Sequence, residues 1–106
     1  MTNKDKIAQL LENEEYSIDS INYDERDLTH LTQKLRNKGL ISFEITLLQE
    51  RGDGWAQIEY WEPKIEKLIV LDQNAQAEFT DLSEVAEYLA SEEEKLIEFR
   101  NKHFKN

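Results

Sequence analysis

Two short segments with alternating side chains constrain the fold of this chain most strongly. In residues 40–48, apolar residues recur at every second position, at Ile41, Phe43, Ile45 and Leu47. Successive side chains of a β-strand point to opposite faces, so this spacing predicts a strand with one buried face. Residues 55–61 follow after the sequence ERGDG, whose glycines suit a turn. Together the two segments predict a β-hairpin.

The two faces of this hairpin differ in composition. Ala56, Ile58 and Tyr60 share one face and join the apolar residues of the first segment on the core side. The opposite face carries both tryptophans of the chain together with polar residues: Trp55, Trp61, Gln57, Glu59, Ser42, Glu44 and Thr46. This second face is therefore either another core, covered by a helix, or a surface that binds something.

Helical spacing of apolar residues predicts helices over residues 3–13 and 24–38, with Gly39 as the cap that ends the second. Residues 16–23 fit either a strand or a short helical turn. In the last third, Thr80 is the expected N-cap of a helix. Ser91 followed by three glutamates is a second helix-start signal, so this region holds either two helices or one that reaches about residue 103.

Proline at position 63 ends the hairpin, and residues 64–71 predict a third strand. The end of that strand, from Leu68 to Leu71, is apolar on both faces, which predicts that it runs under a helix. A turn over residues 72–75 and a brief extended segment over residues 77–79 are expected to follow. The prediction is a single α+β domain: N-terminal helices, a small antiparallel sheet of three to four strands, and a C-terminal helix or helix pair on one face.

Charge is high and unevenly distributed. The 106 residues contain 23 acidic and 13 basic side chains, a net charge of −10. Residues 5–27 carry eight acids and two bases, and residues 72–98 carry nine acids and one base. Such a balance disfavours nucleic acid and anionic membranes as partners, because both are bound through Lys and Arg. It favours a basic protein partner.

No pattern in the sequence predicts catalysis, a cofactor or a metal. The chain has no cysteine, which excludes thiolate chemistry and is typical of a reducing compartment. The two histidines, His30 and His103, lie far apart, and His30 is expected at the surface. Because no nucleophile or acid–base motif is recognisable, we expect no enzyme. Neither a signal peptide nor a membrane span is recognisable, so we expect a cytoplasmic protein. The richness in Lys, Asn, Glu and Ile resembles that of bacterial proteins.

The first functional hypothesis is an acidic protein that binds and inhibits a basic partner. Charge would speed and orient the encounter, and a few aromatic anchors would supply the affinity. The candidate contact residues are Trp55, Trp61, Glu44, Glu59, Asp24, Glu25 and Asp27. As a class, though without a shared motif, the chain resembles bacterial immunity proteins, nuclease inhibitors and nucleic-acid mimics. The exposed aromatic face would also serve a homodimer.

The alternative hypothesis comes from the order of elements. Residues 6–41, followed by the hairpin, resemble the layout of a winged-helix DNA-binding protein. In that layout residues 31–41 form the recognition helix and lead into a wing. The resemblance implies that Lys34, Arg36 and Lys38 contact phosphate. Acidic residues at the start of this helix, including Glu25 and Asp27, and the net charge of −10 oppose it.

Overall fold

A computed structural model describes residues 1–23, 25–47, 56–75 and 78–104, without the side chains of residues 25, 26 and 47. Three helices open the chain: α1 (Asn3–Asn13), α2 (Ile18–Tyr23) and α3 (Glu25–Asn37). The residues after them form β1 (Glu44–Leu47), β2 (Ala56–Glu62) and β3 (Lys67–Ala75), and α4 (Leu82–His103) follows. The three described strands form one antiparallel sheet in the order β1-β2-β3. The predicted α+β architecture is confirmed.

Local signals set the start of α1 and the end of α3. Thr2 and Asp5 form a capping box at the start of α1, which satisfies two backbone N–H groups that have no partner in the helix. In the segment 16–23, which the sequence left open, residues Ile18–Tyr23 form a helix, α2, rather than a strand. Gly39 ends α3 with a positive φ of 74°, a conformation that a Cβ atom disfavours. The Leu40 N–H then donates to the Leu35 carbonyl, which completes the C-terminal cap.

The N-terminal helices and the sheet are joined at the outer edge of β1. The Thr29 hydroxyl in α3 donates to the Ile45 carbonyl at 3.0 Å. One helical turn further on, the Thr32 hydroxyl accepts the Ile45 N–H at 3.3 Å. Both backbone groups of Ile45 are therefore bonded to a helix. An unpaired strand edge is a template for association, and α3 closes this one.

The third strand departs most from the sequence prediction. It begins at Lys67 rather than at residue 64, because residues 63–66 form a turn in which Glu66 takes a positive φ of 51°. It continues through residues 72–75, where a turn was expected. Two shifts of register with β2 near its end show that β3 contains extra, bulged residues there. The expected extension over 77–79 is not a strand at residues 78 and 79, and residue 77 lies outside the described residues.

One continuous helix, α4, packs on the sheet. It starts one residue later than expected, because Asp81 rather than Thr80 is the N-cap and accepts the Glu84 N–H at 2.9 Å. No second helix begins at Ser91. Glu93, part of that start signal, instead accepts hydrogen bonds from the Ser42 N–H at 2.7 Å and the Ser42 hydroxyl at 2.9 Å. The core lies between α4, the N-terminal helices and one face of the sheet.

Candidate protein-binding face

The alternation of β2 separates its side chains as the sequence predicts. Ala56, Ile58 and Tyr60 are buried, whereas Trp61 is 52% exposed. We call the face that carries the buried residues the core face and the opposite face the outer face. By the strand register, the outer face of the sheet carries Glu44, Thr46, Gln57, Glu59, Trp61, Leu68 and Val70. Trp61 is therefore not covered by a second core of the described residues.

Trp61 stands beside two further exposed apolar side chains. Leu68 lies directly opposite Trp61 on β3 and is 56% exposed. Val70, two residues along the same strand and therefore on the same face, is 42% exposed. Directly opposite residues of an antiparallel pair have Cβ atoms about 5 Å apart, so the indole and the leucine form one apolar surface. We call Trp61, Leu68 and Val70 the apolar patch.

Leu68 and Val70 correct the sequence prediction for β3. Residues 68–71 were expected to run under a helix because both faces are apolar. Only Ile69 and Leu71 pack partly against the core, and the alternate residues face outward. Sequence reasoning missed them as site residues, because a continuous apolar run does not show which alternate positions are buried.

Two carboxylates border the apolar patch, and they differ in how far they are neutralised. Glu59 lies opposite Val70 and accepts a hydrogen bond from Gln57 at 2.7 Å. Glu44 lies opposite Glu59 on the other side, where α3 supplies an ion pair from Arg36 at 3.4 Å and a hydrogen bond from Gln33 at 2.9 Å. Among the described residues, the partner of Glu59 is the neutral Gln57, so Glu59 is the carboxylate better placed to attract a cation of a binding partner.

Contacts on the core face anchor β2 to α4 under the patch. Glu62 is fully buried and pairs with Arg100 of α4 at 2.8 Å. The hydrogen bond from Arg100 holds the pKa of Glu62 below its usual value and raises the pKa of Arg100. The ring of Tyr60 meets Phe99 of α4 edge to face, with centroids 6.4 Å apart. Trp61 thus stands between two residues whose side chains are fixed to a helix.

Burial raises the pKa of two further groups on this side. The Tyr60 hydroxyl is buried without a hydrogen-bond partner among the described atoms, and desolvation raises its pKa. Desolvation also raises the pKa of Glu93, against the opposing effect of its hydrogen bonds from Ser42. Both groups lie on the opposite side of the sheet from Trp61, so they support the fold and do not touch the patch.

The structure does not bring all predicted contact residues together. Trp61, Glu59 and Glu44 share the outer face, whereas Asp27 lines a polar groove between the α1–α2 connection and α3. Trp55 and Asp24 lie outside the described residues, as does the side chain of Glu25. The groove also contains Lys34 and His30, and His30 is exposed as expected.

Two of the three cations proposed for phosphate contact are paired with acids. Lys34 bonds to Glu14 at 3.2 Å, and this hydrogen bond raises its pKa. Arg36 bonds to Glu44. Lys38 lies beyond them near the C-terminal end of α3, where it lines a shallow pocket against α1. Nucleic acid would have to compete with carboxylates for the first two.

Within the described residues, no three His, Asp or Glu side chains are grouped so that they could hold a metal ion. None of the helices in that part of the chain has the length and apolar character needed to cross a membrane. The chain matches no family model, no curated protein and no solved structure.

Proposed function

We propose that this protein is a small acidic binding protein that occupies and blocks a basic protein partner through the outer face of its sheet. The observation that carries the proposal is the exposure of Trp61, beside Leu68 and Val70, on a strand that side-chain contacts anchor to α4. Tryptophan is one of the residues enriched among the energetic anchors of protein interfaces. An exposed apolar patch with a polar border is also typical of an interaction site.

Charge supplies the second part of the proposal. A net charge of −10 attracts a basic protein over long distances and repels acidic ones. Glu59 adds a carboxylate at the border of the patch, opposite Val70. An inhibitor of a basic toxin or nuclease, including one that imitates nucleic acid, combines these two properties. The absence of cysteine agrees with a role in the reducing cytoplasm.

Affinity capture with the tagged protein, followed by mass spectrometry, tests this proposal. We expect a basic protein to bind at about 0.05 M salt and to be released near 0.5 M, because salt screens exposed charges. With the purified partner, Trp61→Ala should weaken binding by about 30-fold, the loss expected for an anchor worth about 2 kcal/mol.

Matched variants separate the patch from general effects. Tyr23 on α2 is 73% exposed, so Tyr23→Ala removes an exposed aromatic ring from another part of the molecule. Glu59→Gln should weaken binding more than Glu98→Gln, which makes the same charge change at an exposed position of α4. Equal losses of affinity for Trp61→Ala and Tyr23→Ala, or an affinity that does not change with salt concentration, would contradict the proposal.

The winged-helix hypothesis keeps one observation in its favour, since α2, α3 and an antiparallel strand pair do follow one another in the expected order. It needs Lys34 and Arg36 to leave Glu14 and Glu44. Tight binding of random duplex DNA at low salt, weakened by Lys38→Ala and not by Trp61→Ala, would favour this function over the first.

A further inference from the structure

The two edges of the sheet differ in whether another element of the fold pairs with their backbone groups. At β1, both backbone groups of Ile45 are bonded to threonines of α3. At β3, no described strand pairs with the edge that faces away from β2, and the side-chain bond from the Asn74 N–H to the Asp72 carboxylate lies beyond Val70. The strand at this edge comprises nine residues, Lys67–Ala75. Two of the three residues of the apolar patch, Leu68 and Val70, belong to it. Backbone groups and apolar side chains are thus available together at one place.

The register shows which backbone groups point outward from β3. Both backbone groups of Ile45 bond to α3, so Ile45 forms no backbone hydrogen bonds with Ile58, its partner on β2. Hydrogen-bonded and non-hydrogen-bonded pairs alternate along an antiparallel ladder, so the neighbouring pair, Glu44 and Glu59, is hydrogen-bonded through the backbone. The N–H and carbonyl groups of Glu59 therefore point towards β1 and away from β3. Val70, opposite Glu59, therefore directs its N–H and carbonyl away from β2.

The same alternation applies two residues earlier, where Leu68 lies opposite Trp61. Leu68 and Val70 thus present outward backbone groups and exposed side chains at once. Beyond Val70, the shift from the Glu59–Val70 pair to the Ile58–Asp72 pair shows that Leu71 is bulged. Bulges impede further regular pairing. The edge that can accept a strand is consequently short and runs from Lys67 to Val70.

We propose that the basic partner binds by adding an extended segment to the Lys67–Val70 edge of β3, with main-chain hydrogen bonds to Leu68 and Val70. This inference rests on the proposed function and specifies its mode of recognition. Strand addition gives affinity through the main chain and specificity through alternate side chains. Side chains of the added segment on the outer face would meet Leu68 and Val70, next to Trp61.

Charge decides between a foreign segment and a second copy of this chain. Pairing of β3 with its symmetry mate would join two molecules that each carry −10. It would also leave the apolar patches of both copies side by side on an uncovered outer face. A basic segment reduces the net charge of the complex instead.

A short capped peptide of alternating lysine and valine is a suitable probe, with a peptide of the same sequence carrying N-methylated valines as control. The two have equal charge and similar apolarity, but N-methylation removes hydrogen-bond donors. In NMR titrations with isotope-labelled protein, we expect the unmethylated peptide to bind more tightly and to slow hydrogen exchange at the Leu68 and Val70 amides. Equal binding of both peptides, or no added protection at these amides, would overturn the inference.

A proline substitution in the protein, rather than a change in the peptide, tests the same edge. Proline is tolerated on edge strands where the N–H points away from the ladder, so Val70→Pro should fold. Compared with Val70→Ala, which also shortens the side chain but keeps the N–H, it should bind the peptide about fivefold more weakly through loss of one hydrogen bond. If Val70→Pro binds as well as Val70→Ala, the inference fails.

The outcomes also separate this inference from the proposed function. Binding that shifts the Trp61 indole signal without protecting Leu68 and Val70 would leave the outer face as the site and reject strand addition. Failure of the captured partner to respond to Trp61→Ala would reject both. Sedimentation of the free protein as a dimer with protected β3 amides would identify a second copy as the occupant and overturn the inference.

Discussion

Thr32→Val tests whether α3 closes the β1 edge as the hydrogen bonds indicate. Thr32 is fully buried, and its hydroxyl accepts the N–H of Ile45, which is also fully buried. Valine has nearly the same shape and a similar helix propensity, so the substitution removes the acceptor with little change in packing. The Ile45 N–H is then left in the core without a partner.

The geometry sets the size of the expected effect. An unsatisfied buried donor costs about 1–3 kcal/mol. The donor–acceptor distance of 3.3 Å is long for an N–H···O bond, so we expect the lower end of the range, about 1 kcal/mol. For a domain of this size that corresponds to a fall in melting temperature of roughly 4–8 °C.

Urea denaturation followed by circular dichroism measures this change, and Thr46→Val is the matched control. Thr46 lies on the outer face and is only partly buried, so the same change there should stay within about 0.5 kcal/mol. Hydrogen exchange at the Ile45 amide should also accelerate in Thr32→Val. A free energy of unfolding equal to that of the control would refute the idea that α3 seals this edge.

Two further predictions concern pH. Arg100 lowers the pKa of Glu62 below 4.5, so their pairing stabilises the fold above that pH and is lost as the pH falls through the lowered pKa. Glu62→Gln should therefore flatten the acid limb of the stability profile, and an unchanged limb would contradict the pairing. Burial raises the pKa of Glu93 above 4.5, which has the opposite sign. In Glu93→Gln the amide oxygen can accept the Ser42 N–H and the amide NH2 can donate to the Ser42 hydroxyl without a charge, so the variant should be more stable than the wild type near pH 7. Denaturation at several pH values should show this advantage shrinking as acid protonates Glu93, and a constant difference would count against the assignment.

Several elements could be predicted because their signals are local. The capping box of Thr2 and Asp5 needs contacts within one turn, and the positive φ of Gly39 follows from the lack of a side chain. The alternation in β2 correctly assigned Ala56, Ile58 and Tyr60 to the core and Trp61 to the other face. Each of these depends on residues a few positions apart.

Other features were predicted wrongly or left open by the sequence, because burial and side-chain contacts depend on elements that are distant in sequence. The exposure of Leu68 and Val70 depends on the side of the sheet on which α4 packs, and an apolar run carries no sign of that choice. The signal at Ser91 fitted either a second helix or one continuous helix, and the structure has one helix, in which Glu93 bonds to Ser42, 51 positions away.

The sequence by itself therefore determined the fold class, the charge and the face on which Trp61 lies, since propensity, capping and alternation act over a few residues. Only the tertiary structure decided what surrounds that residue. By closing the β1 edge with Thr29 and Thr32, it left the β3 edge beside Trp61 as the described edge without a partner. The physical reason is that a hydrogen bond is assigned by which groups meet in space, and a linear pattern of side chains does not contain that information.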